Sequence, residues 1–233
     1  MADVEIQRIV EEVTRRVLAA FDAETGVPRM ARGPVCAGAA GECEACGRCA
    51  EVRPEEAEAL RQAGAARLSA RSGIGKVRDD LARLIDHTLL KAEATRDQLR
   101  LLCEEAVRHG FYSVCVNSAN VRYCANLLEG SDVIPIAVVG FPLGAMSPTS
   151  KAFEARQAVR DGAREIDMVI NVGKLKHGDF DYVFEDIISV VAASRPYPVK
   201  VIIETSSLTD EEKVAASALS AAAGARFVKT STG

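Results

Sequence analysis

The chain has 233 residues, of which 48% are hydrophobic and 27% are charged, and its formal net charge is −4. This composition predicts one sizeable core with an appendage, and the mixed acidic and basic residues give no electrostatic reason to bind nucleic acid. No apolar run reaches the roughly 20 residues that span a bilayer, and the N-terminus has no secretory pattern. We therefore expect a cytoplasmic protein that binds neither nucleic acid nor membranes. In that compartment its seven cysteines are thiols or metal ligands rather than disulfides.

The first stretch, residues 1–21, is predicted to be an amphipathic helix. Its apolar residues recur at helical spacing, with charged residues between them: Val4, Ile6, Ile9, Val10, Val13, Val17, Leu18 and Phe21. A segment rich in glycine, proline and small residues follows, so the helix has no tight connection to what comes next. Two interpretations remain open. The helix either folds back as a layer on the main domain or a subunit contact, or acts as a detachable docking helix.

The second stretch, residues 22–75, is predicted to be a flexible linker with a short helix from Pro54 to Gly64. It contains a cysteine cluster made of Cys36, Cys43, Cys46 and Cys49. The last three have Cys-x2-Cys-x2-Cys spacing on a loop of small residues, so their thiols can converge on one centre. One hypothesis is an iron–sulfur cluster or a zinc ion, and the other is a redox-sensitive linker that binds no metal.

The third stretch, residues 76–233, alternates short apolar strands with helices. The predicted strands are Arg83–His87, Ser113–Asn117, Pro135–Gly140, Glu165–Asn171, Val199–Glu204 and Arg226–Thr230. The predicted helices are Arg96–His109, Val121–Glu129, Lys151–Asp161, Asp181–Ser194 and Thr209–Ala223. This α/β alternation predicts a parallel sheet covered by helices. Both a closed barrel and an open doubly wound sheet fit the alternation alone.

The placement of polar residues favours the barrel. Such residues lie at or near the carboxyl ends of the predicted strands: Asp86, Asn117, Asp167, Asn171, Glu204 and Lys229. In a parallel barrel these ends converge on one pocket, and no Gly-x-Gly-x-x-Gly turn follows the first strand. A lysine at a strand end, desolvated and close to a second positive group, has a lowered pKa and can attack a carbonyl. Lys229 is therefore the candidate for a Schiff-base nucleophile, and the predicted chemistry is that of an aldolase.

Five motifs in order carry a specific resemblance. They are Leu84–Leu90 (LIDHTLL), Ser113–Asn117 (SVCVN), Glu165–Asn171 (EIDMVIN), Val199–Thr205 (VKVIIET) and Phe227–Gly233 (FVKTSTG). Their sequence and order resemble the successive strands of the deoxyribose-phosphate aldolase family, from about Val77 to the last residue. The resemblance implies a TIM (β/α)8-type barrel, incomplete here with about six βα units. It also implies a class I aldolase that cleaves 2-deoxy-D-ribose 5-phosphate to D-glyceraldehyde 3-phosphate and acetaldehyde without a cofactor.

The resemblance also assigns roles to residues. Lys229 is expected to be the Schiff-base nucleophile, and Asp167 the acid/base that moves protons with an ordered water. Asp86, Thr88, Cys115 and Lys200 are expected to support the substrate pocket. A homodimer formed through the barrel is a further expectation of the family resemblance.

Two expectations concern departures from the family. A complete member continues through two further strand–helix units with a second lysine and phosphate-binding glycine loops, so we expect a C-terminally incomplete enzyme with little activity unless another chain supplies them. The N-terminal helix resembles the encapsulation peptides of bacterial microcompartments, with residues 4–21 binding a shell or cargo protein. The alternative is a non-catalytic microcompartment cargo or metal-binding adaptor with a remnant barrel.

Overall fold

The computed structural model describes residues 8, 10–12, 15 and 81–233 of the chain. The chain divides into two compact units, Met1–Pro28 together with Ala82–Gly233 and, separately, Arg29–Leu81. Apart from Leu81, the second unit lies outside the described residues, and so do the predicted linker helix and the cysteine cluster. The architecture given below is that of the first unit.

Six parallel strands form one sheet. They are β1 (Asp86–Leu89), β2 (Ser113–Asn117), β3 (Ile134–Val139), β4 (Glu165–Val169), β5 (Val199–Ile202) and β6 (Phe227–Lys229). Each strand pairs with the next one in the chain, so the spatial order is the chain order. A doubly wound sheet reverses its strand order at a switch point, whereas a barrel does not. The expected barrel is confirmed as a half-barrel of six strands.

Helices follow the strands on one side of the sheet. They are α1 (Arg96–His109), α2 (Val121–Leu127), α3 (Pro148–Arg160), α4 (Val172–Lys176), α5 (Phe180–Ser194) and α6 (Asp210–Ala222), with short 3-10 turns at Leu81–Leu84, Ser118–Asn120 and Thr205–Ser207. Side-chain caps fix several of their starts, as in the capping boxes of Thr95 with Gln98 and Thr209 with Glu212. No helix in the described residues is long and apolar enough to cross a membrane.

The structure corrects the position of one predicted strand and adds one helix that was not predicted. The first strand was expected over Arg83–His87, but Leu81–Leu84 form a 3-10 turn that is closed by the Ile85 amide donating to the Ala82 carbonyl. The strand therefore begins at Asp86. The short helix α4 was not predicted, because its five residues are too few to show a helical period. Its start is fixed by Asn171, whose side chain accepts a hydrogen bond from the Lys174 amide.

The two faces of the sheet have different partners because successive side chains in a strand point to opposite faces. The convex face and the helices share the main hydrophobic cluster, which includes Val114, Ala137, Ile166 and Val201. The concave face carries a small separate cluster of Cys115, Ile136 and Val138, and beside it lie the charged strand residues. The fold thus keeps its main core and the Asp, Glu and Lys residues of its strands on opposite faces.

The described N-terminal residues are helical and amphipathic. Val10 is only 5% exposed and belongs to the main hydrophobic cluster, while Arg8, Glu11 and Arg15 are exposed. Burial of Val10 in this cluster agrees with the interpretation that the segment packs back on the main domain. The neighbouring apolar positions of the segment lie outside the described residues.

Gly144, in the loop between β3 and α3, is a position where only glycine fits. Its φ is +65°, and a Cβ there would lie 1.9 Å from the carbonyl oxygen of Ile170. We expect Gly144→Ala to lower the free energy of unfolding by about 2–5 kcal/mol, from backbone strain and steric overlap together. Gly130 is the matched control, since its φ is +80° and nothing lies within 4 Å of the added Cβ. Urea titration of both variants measures the difference, and equal losses would contradict the steric argument.

Candidate active site

The strand register brings the predicted site residues onto one face. Asp167 on β4 is paired with Lys200 on β5, and Ile202 on β5 is paired with Lys229 on β6. Because side chains alternate along each strand, Asp167, Lys200 and Lys229 all point to the concave face. Asp86 reaches the same face from β1, where it is paired with Ser113.

The central contact joins Lys229 and Asp167. The Lys229 Nζ donates to Asp167 Oδ2 at 2.8 Å, across 62 positions of sequence. The carboxylate side chain is fully buried, whereas the lysine side chain is 29% exposed. A small molecule therefore has access to the amine while the carboxylate is kept from bulk water. Such a pair can pass a proton between an amine and a buried base.

Burial and charge act in opposite directions on this pair. Burial raises the pKa of Asp167 to about 6, although the nearby Lys229 ammonium opposes the rise. Burial alone would lower the pKa of Lys229, but its attraction to Asp167 outweighs burial and the net pKa is raised. The expectation of a lowered Lys229 pKa is therefore wrong for this arrangement, because the ammonium faces a carboxylate directly. Attack by Lys229 requires that its ammonium first lose a proton.

Within this charge network, Lys200 is the lysine whose pKa is lowered. Burial is the main cause, Asp86 opposes it, and the Lys229 ammonium lowers the pKa further. The Lys200 Nζ lies 3.4 Å from Asp86 Oδ2 and 3.5 Å from Asp167 Oδ1, and it also contacts Glu165. Asp167 is thus held between two lysines, with one on each carboxylate oxygen.

Glu165 is a buried member of this charge network that the sequence analysis missed. Its side chain is fully buried on the same face as Asp167, two residues before it in β4. The Tyr112 hydroxyl lies 3.5 Å from Glu165 Oε2, and Ser113 Oγ donates to Asp86 Oδ1 at 2.5 Å. The Glu-Ile-Asp alternation was the available signal, because a period of two places Glu165 and Asp167 on one face.

Cys115 and Thr88 lie at paired positions on β2 and β1 but in different surroundings. Cys115 is fully buried, and burial with the nearby Asp167 charge raises the pKa of its thiol to about 12. The thiol is therefore neutral at physiological pH. Thr88 is exposed, and its hydroxyl donates to the backbone carbonyl of Asp86. The structure brings Asp86 and Lys200 into the charge network and leaves Thr88 at its margin.

Three other polar strand-end residues make local contacts. The Asn117 amide donates to the Leu90 carbonyl, and Asn171 caps α4. The Glu204 carboxylate accepts two hydrogen bonds from Thr232, one donated by the Thr232 amide and one by the Thr232 hydroxyl.

In the part of the chain that the structure describes, no group of three or more His, Cys, Asp or Glu residues is placed to hold a metal ion.

Comparison with known proteins identifies the family to which residues 81–233 are similar. The model of the DeoC/LacD family aldolases matches residues 81–233. The deoxyribose-phosphate aldolase of Macrococcus caseolyticus is 56% identical over 154 residues, which are 66% of this chain and 70% of that protein. The deoxyribose-phosphate aldolase of Streptococcus uberis is 58% identical over 151 residues, which are 65% of this chain and 69% of that protein.

Solved structures show the same fold. The tetrameric deoxyribose-phosphate aldolase from Aeropyrum pernix superposes with a TM-score of 0.62 and 32% identity, over 66% of this chain and 65% of that one. The aldolase QR15 gives a TM-score of 0.64 and 35% identity, over 66% of this chain and 69% of its own. The family match covers about two thirds of the chain and includes all six strands and every residue of the charge network. The chain therefore belongs to the DeoC/LacD family of aldolases.

Proposed function

We propose that the chain is a Schiff-base aldolase that cleaves 2-deoxy-D-ribose 5-phosphate to D-glyceraldehyde 3-phosphate and acetaldehyde. The observation that carries the proposal is the 2.8 Å contact between the partly exposed Lys229 amine and the buried Asp167 carboxylate. The names of the relatives supply the substrate. They favour this aldolase over the non-catalytic adaptor.

The reaction follows from the two groups in contact. The Lys229 amine, once deprotonated, adds to the C1 aldehyde of the open-chain sugar, and loss of water gives a protonated imine. The imine draws the electron pair of the C2–C3 bond toward nitrogen while the C3 hydroxyl gives its proton to a base. Glyceraldehyde 3-phosphate leaves, and the enamine of acetaldehyde stays on the lysine. Protonation at C2 and hydrolysis then release acetaldehyde and restore the amine.

Asp167 is the proposed acid/base because it is the carboxylate in hydrogen-bond contact with Lys229. It takes the C3 hydroxyl proton, directly or through a water, and returns a proton to the enamine carbon. A pKa of about 6 suits both steps near neutral pH, because the protonated and ionised forms are both accessible. The Lys200 ammonium lies 3.5 Å from the second oxygen, where its positive charge faces the carboxylate without a hydrogen bond.

A pH dependence follows from this assignment. Protonation of Lys229 already lowers kcat/KM as the pH falls, and because the cleavage step needs ionised Asp167, a second and steeper acidic limb is expected below a pH of about 6. Asp167→Asn should lower kcat by about 10²- to 10⁴-fold and remove this acidic limb. Asp86→Asn is the comparison variant, since Asp86 contacts Lys200 rather than Lys229, and it should keep the limb. A coupled assay of glyceraldehyde 3-phosphate release measures all three, and a limb that persists in Asp167→Asn would refute the assignment.

Four residues are proposed to support the pocket. Lys200 and Asp86 set the charge around Asp167, because Lys200 lies within 3.5 Å of both carboxylates. The buried Cys115 is proposed to fill the concave surface beneath the amine. Thr88 is proposed to face substrate hydroxyls, since it is paired with Cys115 on the neighbouring strand and its side chain is exposed.

The remaining proposals concern the cysteine cluster, which lies outside the described residues, the N-terminal segment, of which the structure describes only residues 8, 10–12 and 15, and assembly. A metal or Fe–S cluster at Cys36, Cys43, Cys46 and Cys49 would show itself in iron, sulfide and zinc analysis of anaerobically prepared protein. The residue 4–21 segment is proposed to bind a microcompartment shell or cargo protein, and deletion of residues 1–21 should then abolish co-purification with shells. A homodimer is the proposed assembly, which light scattering tests directly.

A further inference from the structure

The backbone of Glu204 adopts an unusual conformation at the end of β5. Its φ is 54° and its ψ is 66°, which is the left-handed region, and among the described residues it is the one non-glycine with a positive φ. Glutamate has no intrinsic preference for this region, so surrounding contacts must stabilise it there. Strain of this kind concentrates at functional sites.

The contacts of Glu204 explain what holds the strained backbone. Its Oε2 accepts from the Thr232 hydroxyl at 2.6 Å and from the Thr232 amide at 3.2 Å, and its Oε1 accepts from the Ser206 hydroxyl at 3.2 Å. These bonds lower the pKa of Glu204, and the bond from the Thr232 hydroxyl has the largest effect. The side chain is therefore a carboxylate at neutral pH. Three donors converge on one charged acceptor, which is a strong arrangement.

These contacts extend the pairing of β5 and β6 beyond the strands. The last paired residues are Ile202 and Lys229. The Ile203 amide then donates to the Lys229 carbonyl at 3.0 Å, and the Thr205 amide donates to the Thr230 carbonyl at 2.8 Å. The Glu204 carboxylate adds a side-chain contact to these backbone bonds, because it binds Thr232, the third residue after Lys229. The lysine is thus followed at once by a segment fixed to the neighbouring loop.

We infer that Glu204 is a positioning residue, which acts through Thr232 to fix the segment after Lys229 and so to hold the Lys229 amine against Asp167. The inference rests on the proposed role of Lys229 as the nucleophile. Without the carboxylate, residues 230–232 lose their side-chain anchor, and β6 has only three residues to hold the lysine in place. An amine displaced by about 1 Å from its productive geometry can lose about 10²-fold in rate.

Two measurements on Glu204→Ala test the inference. The first is amide hydrogen exchange by mass spectrometry, in which the peptide containing residues 229–232 should exchange at least tenfold faster while the β2 and β3 peptides stay unchanged. The second is the rate at which borohydride traps acetaldehyde on Lys229 as a function of pH. The limiting rate should fall about tenfold, and the midpoint should move to lower pH because the Asp167 contact that raises the Lys229 pKa is loosened.

Further variants separate positioning from strain and from general stability. Glu204→Gly relieves the backbone strain but lacks the carboxylate, so it should show the same trapping defect as Glu204→Ala. Thr232→Ala removes the hydroxyl donor but keeps the amide donor, so it should show a smaller defect of the same kind, and the double variant should be no worse than Glu204→Ala alone. Glu204→Gln keeps an acceptor oxygen and should recover part of the rate. Glu211→Gln, an exposed change at the start of α6, is the matched control.

The outcomes distinguish this inference from the proposed function. Unchanged exchange in the 229–232 peptide of a folded Glu204→Ala variant would overturn the positioning role, whatever the activity. So would an unchanged trapping rate and midpoint, or losses that add in the double variant. Absence of any Lys229 adduct in the unaltered chain would count against the nucleophile, and with it the inference as stated, even where exchange is faster.

Discussion

Borohydride reduction in the presence of acetaldehyde is expected to place an ethyl group on Lys229. The amine forms an imine with the aldehyde, and reduction converts that imine to a stable secondary amine. Lys229 is partly exposed and contacts a buried carboxylate that can assist proton transfer. Intact mass followed by peptide mapping measures both the extent and the position of the adduct.

The pH dependence of this trapping reports the state of the amine. Because Asp167 raises the pKa of Lys229, the amine is protonated at neutral pH. The rate should therefore rise about tenfold per pH unit above neutrality until the pKa is reached, since only the free amine attacks. Lys229→Ala should lose the adduct and retain its far-UV circular dichroism. Lys213→Ala, which removes an exposed lysine of α6, should trap acetaldehyde as the unaltered chain does.

One outcome would reassign the nucleophile. Lys200 has the lowered pKa, so on acidity alone it is the more reactive amine. Its side chain is only 13% exposed and is surrounded by three carboxylates, which is why Lys229 is expected to react first. An adduct that maps to Lys200 and is still formed in Lys229→Ala would show that the lowered pKa of Lys200 matters more for the reaction than the greater exposure of Lys229.

The largest loss of stability is expected from Lys151→Ala. Lys151 on α3 is fully buried, and its Nζ donates to Asp186 Oδ2 on α5 at 2.5 Å and to the Val169 carbonyl at 2.8 Å. Burial lowers the pKa of Lys151 and raises that of Asp186, because removal from water disfavours the charged form of each side chain. Removing only the lysine leaves a buried carboxylate without its partner, and the free energy of unfolding should fall by about 3–5 kcal/mol.

Two controls isolate the cause of this loss. Lys213→Ala breaks an exposed pair with Asp210 and should cost less than about 1 kcal/mol. The double variant Lys151→Met with Asp186→Leu replaces the pair by apolar side chains, and it should recover most of the stability because no charge is left buried. Urea titration measures all of these. A single variant that loses no more than the exposed control would show that water or a rearranged side chain satisfies Asp186.

The sequence predicted most of the fold because the helical and strand patterns are long and locally supported. The bounds of β2 and α1 were predicted to the residue, since both are delimited by clear signals: β2 by its apolar run, and α1 by its capping box and the glycine at its end. β1 was misplaced because an apolar segment, Leu81–Leu84, forms a 3-10 turn that no period reveals. Short elements such as α4 depend on a single cap, which a pattern search does not detect.

The sequence predicted which residues form the site better than it predicted their pKa shifts. Lys229, Asp167 and Asp86 were named from their places near strand ends and Lys200 from the family resemblance, and the register does bring the four together. The raised pKa of Lys229 was not predictable, because it depends on a contact across 62 positions rather than on local sequence. Glu204 was seen only as a strand-end carboxylate. Its left-handed backbone and its bonds to Thr232 exist only in three dimensions.

The division of the sheet into two faces has a consequence for how such an enzyme can change over generations. Substitutions at the convex positions, such as Ala137 or Ile166, act on packing and hence on the amount of folded protein. Substitutions at Ile136 or Val138, which are buried in the small concave cluster, alter the packing beside the charge network while leaving the main cluster intact. New substrate preferences can therefore accumulate on the concave face with less loss of the main core, and mutant libraries confined to the concave positions should retain a larger folded fraction than libraries confined to the convex positions.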